Sequence, residues 1–153
     1  MKTLTAITAV GLLTFGMASS AWAYRFSPAD TTFKANGSTT VVQGPHTLNC
    51  TSLLSLSTVG NAAQIDSATF SGTNCKGLTA SGLPWRLTVA GTAHSGNIHG
   101  MALSASNIGL CGPDEVPFQL ASNGKITMTS SRLGSCSVSA TYATKPNLTI
   151  IGH

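Results

Sequence analysis

Four cysteines, at positions 50, 75, 111 and 136, are the most reactive side chains in this 153-residue chain, and their spacing suggests how that reactivity is used. Both successive gaps, 50 to 75 and 111 to 136, are 25 residues. The flanks also echo one another. A polar turn follows the first cysteine of each pair ("VGNAAQI", "LASNGKI"), and a small polar approach precedes the second ("SGTNC", "LGSC"). Four cysteines allow three connectivities. The repeated pattern favours Cys50–Cys75 and Cys111–Cys136, each closing a loop worth about 3 kcal/mol if unstrained. A metal site would ask for C-x-x-C or a histidine pair at ligand spacing, and the sequence offers neither.

The remaining chemistry is sparse. Behind residue 23 the only acids are Asp30, Asp66, Asp114 and Glu115, and the last two, being adjacent, point to opposite faces of a strand. Paired-carboxylate catalysis needs two acids converging from separate elements. His94 and His99 are five apart in an extended region, and His46 and His153 stand alone. There is no G-x-S-x-G elbow, and the cysteines are committed to disulfides. The expectation is a chain with no catalytic residues, no cofactor and no metal. Trp85, directly after Pro84, is the one side chain that could serve as a binding platform. It is also in phase with Leu87 and Val89, which favours an inward anchor whose indole N–H finds a carbonyl.

These residues must be placed by strands. Lys2, an apolar stretch from Leu4 to Met17 and the small-x-small site Ala21-Trp22-Ala23 read as a secretory signal peptide, cleaved between Ala23 and Tyr24. Residues 24–153 then form one domain of 130 residues, exported to an oxidising compartment, periplasmic or extracellular. No later run reaches the roughly 20 apolar residues of a membrane-spanning helix. Beyond Ala23 the pattern alternates with period two between Gly, Asn and Pro punctuation. "HTLNCTSLLSLSTV" sets Leu48, Cys50, Leu54 and Leu56 on one face, and "SCSVSATY" sets Cys136, Val138, Ala140 and Tyr142 on another. No segment holds helical spacing over ten residues. The pattern predicts an all-β antiparallel sandwich, immunoglobulin-like or jelly-roll-like, of about seven to ten strands with two internal disulfides.

One hairpin is predicted in register. A two-residue Asn123-Gly124 turn would split the rows Val116/Phe118/Leu120 and Ile126/Met128 between faces. A three-residue loop, Ser122-Asn123-Gly124, pairs Leu120 with Ile126 and places Gly124 where a left-handed residue is wanted.

Charged residues make up only 8% of the chain, whereas Ser and Thr number 40. Lys34, Lys76, Arg86, Lys125, Arg132 and Lys145 are scattered singly, so the clustered cations of a nucleic-acid footprint are missing. Weak charge repulsion between copies leaves self-association and adsorption at interfaces open.

Taken in order, "FSPADTTF", "LNC", "SGTNC", "GLPW", "CGP", "GSC" and "KPNLTI" resemble the small secreted bacterial family called protein activator of alkane oxidation, over essentially the whole chain after Ala23. The resemblance implies an exported, non-enzymatic accessory that promotes growth on or uptake of long-chain alkanes, with a hydrocarbon or lipid interface or the cell surface as partner. It brings no catalytic residues. Two alternatives stand beside it. One is an extracellular structural protein (adhesin, matrix component or fibre subunit) whose "YRFSPADTTFKANGSTTVV" arm pairs with a neighbour's sheet. The other is a carbohydrate- or lipid-binding module with Trp85 as its stacking platform.

Overall fold

Alternation of buried and exposed side chains runs through most long strands of the computed structural model, which describes residues 24–152. The signal-peptide segment 1–23 lies outside the described residues. Along β3 (His46–Val59), Leu48, Cys50, Ser52, Leu54, Leu56 and Thr58 are buried while their neighbours face out. Such period-two burial requires a sheet with one wet face. The other strands are β1 (Arg25–Ser27), β2 (Thr32–Gln43), β4 (Ala62–Ser71), β5 (Thr79–Ser81), β6 (Trp85–Thr92), β7 (Ser95–Ala105), β8 (Gly109–Leu120), β9 (Lys125–Leu133), β10 (Cys136–Lys145) and β11 (Thr149–Ile151).

The sheet does not split into the two layers of a sandwich. It closes into an eight-stranded antiparallel barrel in the order β2-β3-β4-β6-β7-β8-β9-β10, with β10 returning to β2 and β7 laddered to β8. This corrects the expected architecture. Both designs need the same apolar-in, polar-out alternation, but closure also removes the exposed sheet edges that a sandwich must protect. Bulges bend the wall, with register shifts between Ser55 and Leu56, between Ile98 and Met101, and between Val138 and Ala140.

An eight-stranded barrel has just enough interior for side chains. Here Phe33, Leu54, Trp85, Met101, Phe118 and Tyr142 fill it. The outer wall is hydroxyl-rich: Thr127, Thr141, Ser38, Thr51 and Ser71 lie in one cross-strand row over β9, β10, β2, β3 and β4. That is the reverse of a membrane-spanning barrel, which carries its apolar band outside. Among the described residues no helix is long and apolar enough to cross a membrane.

The predicted hairpin forms as expected: Leu120 pairs with Ile126, and Gly124 has φ +82°. The "YRFSPADTTFKANGSTTVV" arm is not free. Its second half is β2, laddered on one side to β3 and on the other to β10. Its first part, β1, pairs with β11 in a ribbon across one barrel end, where Phe26, Leu148 and Ile150 are buried. Thr58 Oγ1 donates to the Pro28 carbonyl at 2.7 Å, and the Phe26 amide donates to the Asn61 carbonyl at 3.4 Å, tying the ribbon to the β3–β4 turn. At the opposite end, disulfides join Cys50 to Cys75 and Cys111 to Cys136, all four sulfurs buried.

Candidate functional site

Trp85 opens β6 and points into the barrel. It is 1% exposed, and its Nε1–H donates to the Ser81 carbonyl at 2.8 Å. As a stacking platform it is therefore corrected: its face is covered by core and its one polar atom is satisfied. The apolar phase shared with Leu87 was the right signal.

The acids do not converge. Asp30 Oδ1 accepts from the Gly60 amide at 2.9 Å, and Asp114 Oδ2 accepts from the Gly134 amide at 2.7 Å, so each fastens a turn. Gln64 Nε2 donates to Asp66 on the outer face of β4. Glu115 faces the other way from Asp114 and meets His99, with 3.5 Å between Oε2 and Nδ1. The far nitrogen of that ring, Nε2, lies 2.6 Å from Thr88 Oγ1. Thr88, His99 and Glu115 thus line up across β6, β7 and β8 on the outer wall. Sequence reading did not connect them, because the three residues meet only through the β6–β7 and β7–β8 ladders. The group has the contact order of an acyl-transfer triad, but both ends of the His–Glu contact are solvent-accessible and the ion pair is loose.

Inside the barrel, Thr39 Oγ1 bridges Ser52 Oγ at 2.7 Å and the Tyr142 hydroxyl at 2.6 Å. Burial pushes the Tyr142 phenol up to about 12, against the opposite pull of its hydroxyl partners. This trio satisfies itself and faces no opening.

An opening that combines apolar surface with charge lies at the ribbon end. β4 pairs with β6 over three residues only, Ala63 to Ile65 against Leu87 to Trp85. Beyond Leu87 the seam parts, and the β6 backbone of residues 88–92 has no strand partner on that side. Tyr24 and Phe26 come in from the ribbon, and Asn61 and Ala62 from the β3–β4 turn. Together with Arg86, Thr88, Val89 and their neighbours they enclose an open cleft of about 470 Å³. Tyr24 is 36% exposed, and Val59, the last residue of β3 and the partner of Ala62 in the cleft wall, is 70% exposed. Arg86 stands at the rim, and among the described residues the only ion pair is His99–Glu115, so no carboxylate neutralises it. Sequence reading noted Tyr24 only as the residue after the cleavage site and Arg86 only as a scattered cation. Nothing local marks their meeting, which depends on β1 crossing the barrel end.

No cluster of metal-ligating side chains occurs among the described residues. A family model described as alkane oxidation protein activator PraA/PraB-like matches residues 1–152. Neither the curated proteins nor the solved structures contain a match.

Proposed function

The chain belongs to the PraA/PraB-like family of alkane oxidation activators, and from that premise we propose that it is an exported, non-enzymatic accessory protein acting where cells meet hydrocarbon. Residues 1–23 direct export and are removed, leaving a single domain of residues 24–153. The observation that carries this reading is the family match along the whole chain. The physical character of the domain supports it. The outer wall is largely uncharged, so little repulsion opposes accumulation at an interface. Of the four exposed large hydrophobic side chains among the described residues, Tyr24 and Val59 lie at the ribbon end by the cleft, while Leu53 stands on the outer face of β3 and Leu110 at the start of β8. The two disulfides point to an oxidising, extracytoplasmic compartment, and they brace the opposite end of the barrel against spreading on an oil surface.

The protein works by adsorbing to oil droplets through its ribbon end and keeping the hydroxyl-rich wall toward water. Pendant-drop tensiometry with purified protein and hexadecane tests this. The expected result is a fall in interfacial tension that saturates with protein concentration. An unchanged tension at saturating protein rules out direct action at the interface.

A further inference from the structure

The cleft between the ribbon and the free edge of β6 has the composition of an amphiphile site, and we propose that it binds one single-chain alkyl carboxylate, the class of product that terminal oxidation of an alkane supplies. The inference rests on the functional reading above for its choice of ligand, and on the geometry for its chemistry. The accessible carbon comes from Tyr24, Ala62 and Val89, over a floor of buried Phe26 and Leu87. Arg86 and Thr88 also line it, the Thr88 hydroxyl being held 2.6 Å from His99 Nε2. Arg86 has His99 directly across on β7 and Gln64 directly across on β4, and no acid pairs with it among the described residues. An unpaired guanidinium beside apolar surface is complementary to a carboxylate with a hydrocarbon tail, because its planar donors match the two carboxylate oxygens.

The volume, about 470 Å³, is within the range of small-molecule sites. Its open side means the chain is only partly buried. Affinity should therefore rise roughly two-fold per added methylene, less than full burial of each CH₂ would give. The splayed β4–β6 seam gives the site its place: with no strand against residues 88–92, an extended chain can lie along that edge.

Isothermal titration calorimetry of the purified protein with decanoate, decanol and decyltrimethylammonium tests the inference. The expected result is one decanoate per chain, bound about ten-fold more tightly than decanol and more tightly still than the cation. Arg86→Gln, at an exposed position, should cost decanoate about ten-fold and leave decanol unchanged. Val89→Asp should weaken both. Equal binding of decanoate by the parent and Arg86→Gln overturns the proposal, as does preference for the cation or indifference to Val89→Asp. Absence of decanoate binding overturns it too, while leaving the tension result to stand alone. Decanoate binding without any effect on hexadecane tension overturns the interfacial reading instead and leaves this site in place.

Discussion

Thr39 and Tyr142 share a 2.6 Å hydrogen bond inside the barrel, although they stand 103 residues apart in the chain. The register explains the meeting: Tyr142 on β10 faces Gly37 on β2, and Gly37 faces Ser52 on β3. A hydroxyl from each of three neighbouring strands therefore meets over a glycine. Tyr142→Phe leaves Thr39 and Ser52 bonded to each other, so it should cost only about 1 kcal/mol. Thr39→Val removes two buried hydrogen bonds at once, leaves Ser52 and Tyr142 only each other, and should cost about 2 kcal/mol. Urea unfolding of both variants checks the order, and a Tyr142→Phe loss larger than that of Thr39→Val contradicts it.

The same tyrosine sets an alkaline limit. Its folded pKa, about 12, lies above the ordinary value of 10.0, so the folded state holds the proton more tightly than the unfolded chain. The stabilisation is whole below pH 10 and is lost as pH rises toward 12. About 2–3 kcal/mol should disappear over that window. Tyr142→Phe should flatten the slope there, as read by denaturant midpoints at pH 9 to 12. An equally steep fall in the variant would place the titration elsewhere.

Gly96 and Phe118 stand directly across from each other on β7 and β8, and a Cβ at 96 would fall at Thr88's backbone carbonyl oxygen as well as 2.6 Å from Phe118 Cζ. Gly96→Ala should cost about 2–3 kcal/mol or more, because the β6 backbone at Thr88 and the Phe118 ring both stand in the way. Combining it with Phe118→Leu should recover little of that loss in a double-mutant cycle, since the Thr88 carbonyl remains. At Gly37 the nearest obstacle is likewise a backbone carbonyl oxygen, that of Thr141. Gly37→Ala should therefore be destabilising whether or not Tyr142 is truncated.

Phe26 is the ribbon's contribution to the core, 2% exposed and paired with Ile150. Phe26→Ala should cost about 3–5 kcal/mol and loosen the ribbon end first. In hydrogen exchange, the start of β2 and the end of β10 should lose protection. The strand segments near Cys111 and Cys136 should keep theirs, since the disulfides brace the far end. Uniform loss along β10 would contradict an end-local role for the ribbon.

Local rules reached far into this fold. The period-two pattern of Trp85 and Leu87 placed both inside, and the rows Phe118/Leu120 and Ile126/Met128 chose a three-residue hairpin loop. Those decisions depend on residues a few positions apart. Barrel closure does not. It rests on β10 returning to β2 and on how far the bulges bend the wall, and one apolar face per strand serves a sandwich equally well. The cleft was hidden for the same reason. Tyr24 and Arg86 meet because β1 pairs with β11 across the barrel end, and Thr88, His99 and Glu115 meet through strand neighbours.

The most direct test of the account is growth. A strain lacking this gene, given hexadecane as sole carbon source, should grow slowly, and purified protein added to the medium should restore the parental rate. Growth on a soluble carbon source should be unaffected. Unimpaired growth of the deletion strain on hexadecane, or a defect that added protein cannot relieve, contradicts an accessory acting outside the cell at the hydrocarbon surface.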